Sequence, residues 1–382
     1  MSKVLILGEI SSSWTYKCIK IPELHRDHSI VLYGYDDPKY RDWYIKNGVK
    51  LVYPPRIGFL GRIPFFGKRF SKLAYVFGAA YICKRYGKID CLHINFVDEK
   101  KLYTIPFCRK YCDKIICLFW GSDIFRKDEY YFRKYENRLS LVDGFFLTTD
   151  RMEERFRKLF GDKYIDKIER INFGIEGLDY ISTDAGATVK NKKEFNVPED
   201  RTVITIGYNG SESQQHLRII EAIESLPENL KNSVFLQFPF TYGLTDEYKN
   251  IIVARLKRNG IEYQFIERFM DEVTLGKFRT ATDIFIHGQT TDAASASVKE
   301  YLYAQKIVLN GKWLTYEEMT RRGVFFYQFS DFDDLTRKLE YLLTKGITED
   351  ERKRIANNAV ILRSLYSWEN VSSDWKKLYI TQ

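Results

Sequence analysis

Asp292 and Glu300 are the two side chains whose types and spacing most readily do chemistry in this sequence. They lie within residues 283–311, DIFIHGQTTDAASASVKEYLYAQKIVLNG, with seven residues between them. The pattern reads as an apolar strand (Ile284–His287), a loop of small residues, a helix opening at Ser297–Glu300, and a second strand (Ile307–Asn310). That arrangement puts one carboxylate in the loop and the other in the helix's first turn, facing the crevice at the strand's carboxyl end. Open α/β sheets take their ligands there. Ala293, Ala294, Ser295, Ala296 and Ser297 leave room for backbone N–H groups to approach a phosphate, and the helix N-terminus adds positive potential. Two acids accepting hydrogen bonds from sugar hydroxyls at either end of a diphosphate is the chemistry such a unit fits.

A second loop of this kind follows Thr202–Gly207, in TVITIGYNGSESQQHLRIIEAIESLP. Gly210 permits a tight turn, Asn209, Ser211 and Ser213 can donate or cap, and a helix starts near Ser213–His216. The same residues serve many loops simply as helix caps; paired with the Asp292–Glu300 unit they read as the opposite side of one anion site. Thr241, in the run FPFTYG after the strand Val234–Phe238, lies where a donor base or phosphate could rest. In the first half of the chain Asp123 follows the strand Ile115–Trp120 by a short turn and reads either as a base or acceptor-binding group or as a helix cap. His93, inside CLHINF, is either an acceptor contact or a core histidine, and Glu9 stands just past the first strand.

These residues need a scaffold, and the chain supplies one. Its 382 residues suffice for two cores. Strand-like runs alternate with helical stretches such as Met152–Phe160, Leu217–Leu226, Thr245–Asn259 and Leu335–Leu343, which predicts parallel sheets with right-handed crossovers. The polar stretch Ser182–Arg201 contains no convincing element and reads as the seam. The expectation is α/β: two doubly wound, Rossmann-like domains facing a cleft, over 1–180 and 181–365, with 366–382 a C-terminal helix crossing back to the first. Six cysteines, none in a CxxC pair, read as reduced, buried thiols of a cytosolic protein. The N-terminal MSKVLILGEI is too short in its apolar core for a signal peptide.

Charge is uneven. Residues 1–180 hold 33 Lys/Arg against 23 Asp/Glu, whereas the rest of the chain is nearly balanced. The densest piece, Arg56–Lys88, has eight basic residues, no acidic ones and eight Phe/Tyr. Cations interleaved with aromatic rings suit the headgroup layer of an anionic bilayer; a buried helix flanked by solvated lysines is the plainer alternative. Nucleic acid is not expected, because no recognition module accompanies the patch.

Taken together, the two loop units resemble the C-terminal domain of GT-B-fold glycosyltransferases, many of which bind a nucleotide-sugar through an acid-x7-acid motif. Asp292 matches the first acid, which in that family contacts the donor sugar's hydroxyls, and Glu300 the second, which grips the ribose. Ile171–Glu176 (INFGIE) resembles the family's interdomain turn, and Tyr366–Glu369 (YSWE) its C-terminal crossover. A narrower resemblance is to the lipid-linked 4-acetamido-4,6-dideoxygalactose transferases of bacterial surface polysaccharide synthesis, through FWGSDI (119–124), GYNGSESQQH and FPFTYG. Two departures stand out: the first acid is Asp rather than Glu, and the donor loop lacks the Arg and Lys that relatives set against the diphosphate. His216, Arg218, Lys299 and Arg268 are the nearest candidates.

The resemblance implies a nucleotide-sugar-dependent glycosyltransferase, metal-independent and without a cofactor, with Asp123 and Asp292 catalytic. Asn209, Gly210, Ser211, His216, Thr241, Ser295, Ala296, Ser297 and Glu300 would hold the donor; Glu9 and His93 would hold a lipid-linked or saccharide acceptor at the inner face of the membrane. An epimerase of the same fold and a non-catalytic sugar- or membrane-binding scaffold are the alternatives. Asp331-Phe332-Asp333 is formally a metal-binding DxD but is placed to cap a helix. GEISSS after the first strand is not the GxGxxG of nicotinamide enzymes.

Overall fold

Among the described residues, thirteen strands form two wholly parallel sheets. The structure is a computed structural model describing residues 1–35, 37–55, 67–292, 295–314 and 316–379. Residues 56–66 of the basic-aromatic segment, together with Ala293 and Ala294, lie outside the described residues. The chain divides into two units, Met1–Phe173 with Val371–Gln382, and Gly174–Asn370.

The first unit carries β1 (Ser2–Leu7), β2 (His28–Tyr33), β3 (Lys50–Val52), β4 (Ile89–Asn95), β5 (Cys112–Leu118), β6 (Gly144–Leu147) and β7 (Ile168–Arg170). Their order in the sheet is β3-β2-β1-β4-β5-β6-β7. The central strands are almost continuously apolar because helices cover both faces. Leu5, Leu7, Leu92, Ile94, Ile115 and Cys117 pack against Tyr75, Ala79, Cys83, Leu102, Ile105 and Cys108 from the helices Gly67–Tyr86 and Glu99–Cys108. Each such aliphatic side chain contributes about 1.5–3 kcal/mol when fully buried. All six cysteines are free and buried.

The second unit carries β8 (Thr202–Ile206), β9 (Val234–Phe238), β10 (Tyr263–Phe265), β11 (Ile284–His287), β12 (Ile307–Gly311) and β13 (Tyr327–Phe329), ordered β10-β9-β8-β11-β12-β13. Strand order reverses beside β8, and β8 and β11 are paired neighbours. The loops after those two strands therefore emerge side by side at the carboxyl end of the sheet, which is what brings two distant sequence units together.

Three expectations are corrected. The stretch 182–201 holds a helix, Ala185–Glu194, whose polar sequence conceals buried Asn191 and Lys192; Lys192 pairs with Asp283 at 2.5 Å. The apolar run Val324–Tyr327 reads in the sequence as the last strand, but that strand begins at Tyr327, because the Asn358 amide takes both Phe325 backbone groups (2.8 and 2.7 Å) and draws that residue out of the ladder. Residues Glu349–Tyr379 read in the sequence as one last helix and are two, Glu349–Tyr366 and Trp368–Lys377, separated at Ser367, which is extended (φ −71°, ψ 141°). Among the described residues no helix is long and apolar enough to cross a membrane.

Candidate functional site

The loops after β8 and β11 are tied to one another. Thr290 N donates to Ser213 O at 2.8 Å, Gln215 Nε2 to Gly288 O at 2.5 Å, and Gln214 Nε2 to the Gln289 side chain at 2.8 Å. The Tyr208 hydroxyl donates to that same Gln289 oxygen. Within the first loop Asn209 Oδ1 accepts from Ser211 N at 2.9 Å, and its amide reaches the Tyr242 hydroxyl at 3.2 Å. Thr241 is half-buried beside it. Gly210 serves close approach rather than a turn of unusual φ: a Cβ there would lie 2.4 Å from the Leu244 Cβ.

Asp292 sits past β11, its side chain 12% exposed. The Tyr316 hydroxyl donates to its Oδ2 at 3.2 Å, and His287 Nε2 lies 3.2 Å from the same oxygen. His287 is fully buried and fixed through Nδ1 to Asn310 Oδ1 at 2.8 Å. Burial and the Asp292 carboxylate push the Tyr316 hydroxyl well above the usual phenol range, so it remains a donor.

Glu300 stands in the second turn of the helix Ala296–Tyr303, not the first, since the helix opens one residue earlier than its sequence pattern suggests. Its side chain is 7% exposed and Oε2 accepts from Arg279 Nε at 3.0 Å. The same guanidinium donates to the Tyr301 hydroxyl at 2.8 Å and to Ser297 Oγ at 3.0 Å. Burial opposes the charge of Arg279, but Tyr301 and Glu300 outweigh it and raise its pKa. The other Glu300 oxygen faces Gly177, where a Cβ would stand 2.7 Å away. Neither carboxylate is turned to bulk water, and Ser295, Ala296 and Ser297 form the start of the helix between them.

Other candidates are placed differently. His216 is fully buried, its ring among Phe238, Phe240 and Tyr248 at centroid distances of 6.1, 5.0 and 5.8 Å, and burial lowers its pKa to about 3. It packs the core beneath the first loop. Lys299 is buried, with its ammonium 4.0 Å from the centre of the Tyr366 ring, instead of facing solvent. Arg218 is exposed and lies over Phe332, and Arg268 is exposed. Asp331 caps the helix Phe332–Lys345 through Asp334 N at 2.8 Å. Among the described residues no group of three or more His, Cys, Asp or Glu could hold a metal ion.

In the first unit Asp123 is buried and accepts from three backbone donors, Val97 N, Trp120 N and Gly121 N, at 2.8, 2.9 and 3.0 Å. Burial raises its pKa, against the pull of those N–H groups. It joins the loops after β4 and β5. His93 is buried, bonded through Nδ1 to the Tyr379 hydroxyl at 2.7 Å, and lowered to about 3 by burial and then by Lys101. Such a ring presents no surface to an acceptor. Glu9 is exposed at the end of β1.

Arg279, Tyr316 and His287 escaped the sequence reading. Arg279 and His287 had a faint signal: a cation shortly before an apolar strand, and a histidine ending it five residues ahead of Asp292. Tyr316 had none.

Neither a protein-family model nor a curated sequence matches the chain. Solved structures do. One is HepE (Alr3699) of Anabaena in complex with UDP and glucose, 14% identical over 99% of each chain with a TM-score of 0.70. Another is a glycosyltransferase from Rickettsia africae, 15% identical over 99% of this chain and 97% of that one, TM-score 0.75. A third is WaaG, a glycosyltransferase involved in lipopolysaccharide biosynthesis, 14% identical over 99% of this chain and all of that one, TM-score 0.61. The chain has the GT-B fold. Within a GT-B scaffold the two second-unit loops occupy the carboxyl edge of a doubly wound sheet, the region where this architecture takes ligands.

Proposed function

We propose that the protein is a metal-independent glycosyltransferase that moves a sugar from a nucleotide-sugar to a lipid-linked or oligosaccharide acceptor. The observation that carries this reading is the pair Asp292 and Glu300, both withdrawn from bulk water at the carboxyl edge of one sheet, flanking the start of the helix Ala296–Tyr303. Breaking the anomeric bond builds positive charge on the sugar and negative charge on the departing diphosphate, so stabilising that leaving group is the main electrostatic task. Backbone N–H groups at Ser295–Ser297 and at Asn209–Ser211 would take the phosphates. Glu300, held by Arg279, would accept from the ribose, and Asp292, held by Tyr316, from the donor sugar. Asp123 would act by shaping the loop 119–124 rather than as the base itself, since three backbone N–H groups already occupy its oxygens.

A UDP-sugar is the first donor to test, given the UDP in the Anabaena HepE structure. The narrower reading, transfer of a 4-acetamido-4,6-dideoxygalactose in bacterial surface polysaccharide synthesis, rests on the FWGSDI and GYNGSESQQH resemblances. Work at the inner membrane face is supported by the helix Gly67–Tyr86. Its Tyr75, Val76, Ala79, Ile82 and Cys83 enter the core, while Leu73, Phe77 and Tyr81 are exposed on another face with Phe70 in line with them. Phe77 meets the exposed Phe107 ring at 5.9 Å. Basic residues and no acids surround that stripe in sequence, as an anionic headgroup layer favours.

The experiment is incubation with UDP-, GDP- and TDP-sugars, monitoring slow donor hydrolysis without acceptor. Release of free sugar and nucleotide from one base series is expected; inertness towards all three, with no thermal protection by any nucleotide, refutes the reading.

A further inference from the structure

Four large rings of the first unit converge at the carboxyl end of its sheet. Trp14 stands in the first turn of the helix Ser13–Lys20, Trp120 follows β5, Phe173 follows β7, and Trp375 belongs to the C-terminal helix. Trp14 lies 5.3 Å from Trp120 and 4.9 Å from Phe173, centroid to centroid. Trp120 lies 5.0 Å from Phe173 and 6.5 Å from Trp375, nearly parallel to the latter. Two hydrogen bonds lock the inner rings. Trp375 Nε1 donates to Asn172 O at 2.9 Å, and Trp120 Nε1 donates to Asn95 Oδ1 at 2.6 Å. Asn95 is fixed in turn by donating to Thr15 Oγ1 at 3.0 Å.

The cluster is therefore graded, with Trp375 fully buried, Trp120 and Phe173 half-buried, and Trp14 50% exposed. A purely structural aromatic cluster gains most by burying its largest rings. Here a rigid stack holds one indole half in water. Beside it the short loop 8–12 turns back on itself, with Ser12 N donating to Glu9 O at 3.2 Å. That loop carries the exposed Glu9 carboxylate and the half-buried Ser11 and Ser12.

A flat apolar face with acceptors and hydroxyls close by in the chain suits a ligand that is apolar on one face and hydroxylated at its rim, which describes a pyranose ring. A phosphorylated ligand fits less well. Lys101, the buried cation of this region, is already committed to Asn95 O, Phe96 O and the Asp98 carboxylate at 3.0, 2.9 and 2.8 Å.

We propose that the exposed part of Trp14, which follows the Glu9–Ser12 loop in the chain, is a stacking subsite for one neutral pyranose ring of a saccharide ligand. Its role as an acceptor subsite rests on the transferase reading above, whereas the binding itself does not. Trp14 is a positioning residue that orients the ring and takes no part in bond breaking.

The test titrates the full-length protein with four probes: methyl glucoside, methyl galactoside, N-acetylglucosamine and N-acetylgalactosamine. Binding is followed by saturation-transfer NMR and, in protein carrying 5-fluorotryptophan, by the 19F resonance of Trp14, assigned with W14F. At least one probe should bind saturably and shift that resonance. W14A should weaken binding about tenfold, the loss of one aromatic stacking contact, and leave UDP affinity unchanged. No saturable binding by any probe, a Trp14 resonance that does not move, or W14A binding like the parent overturns the proposal. The 19F arm decides the matter if W14A does not fold. Loss of nucleotide binding with the Trp14 shift intact would sink the transferase reading and leave the subsite standing.

Discussion

Replacing Arg279 by Met should cost more stability than any surface change in the second unit, and the reason is Glu300. Arg279 is 4% exposed and gives three hydrogen bonds, to Glu300, Tyr301 and Ser297, at 2.8–3.0 Å. Met fills a similar volume and keeps the contact with the Tyr301 ring, so the transfer term changes little. What remains is a carboxylate 7% exposed with its cation gone. Removing one partner of a buried pair typically costs about 3–5 kcal/mol. For a unit of this size that corresponds to a fall in Tm of about 6–20 °C. Neutralising the survivor should restore most of it, because a buried ion pair replaced by neutral groups is often close to isoenergetic. Differential scanning calorimetry of R279M, E300Q and R279M/E300Q provides the cycle. The double variant should melt well above R279M. A fall of less than 2 °C in R279M, or a double variant no more stable than R279M, would show that the guanidinium is not what sustains the buried charge.

Gly177→Ala should disturb Glu300 without altering it: the new Cβ meets Oε1 at 2.7 Å, so one of them moves. About 1–3 kcal/mol of lost stability is expected, with weaker UDP binding by calorimetry; unchanged affinity would mean that the carboxylate's position is unimportant. Acid should destabilise both units, since His93 and His216 are held near pKa 3 against 6.5 for the ordinary imidazole. Their folded pKa values are lowered, so the unfolded chain binds more protons between those limits and stability falls as pH drops below 6.5. From pH 7 to pH 5 each accounts for about 2 kcal/mol, and H216F should flatten the profile of the second unit; an unchanged profile contradicts the assignment. Phe77→Asp should abolish flotation with vesicles of 70% phosphatidylcholine and 30% phosphatidylglycerol while donor hydrolysis continues, whereas equal flotation of parent and variant would remove the stripe from the membrane reading.

The sheets were legible because unbroken apolar runs such as VLIL, IVLY and IICLF alternate with helical stretches, the pattern of a parallel sheet covered on both faces. The strand–helix–strand order of the segment that carries Asp292 and Glu300 was legible for a related reason: two apolar runs bracket a stretch of small residues and a short helical pattern. Illegible were the groups that act across sequence distance. Arg279 reaches Glu300 from a neighbouring helix, Tyr316 reaches Asp292 from beyond β12, and Asn358 pulls Phe325 from its strand. None of these carries a local pattern, because each is decided by packing. The histidines were ambiguous in the sequence, and a core position was already one reading of His93. A polar side chain at a strand or helix end looks available, and only the rings of Phe238, Phe240 and Tyr248, or the hydroxyl of Tyr379, reveal that it is enclosed.

The central claim is that two acids of one sheet edge, both withdrawn from bulk water, hold an activated sugar, and isothermal titration with UDP and UDP-glucose tests it most directly. The parent should bind UDP at one site per chain. E300Q, which keeps the shape and removes the charge, should weaken UDP by about 10–100-fold, the worth of one charge-assisted hydrogen bond. D292N should weaken UDP-glucose more than UDP. Equal UDP affinity in parent and E300Q, with both folded, would contradict the account.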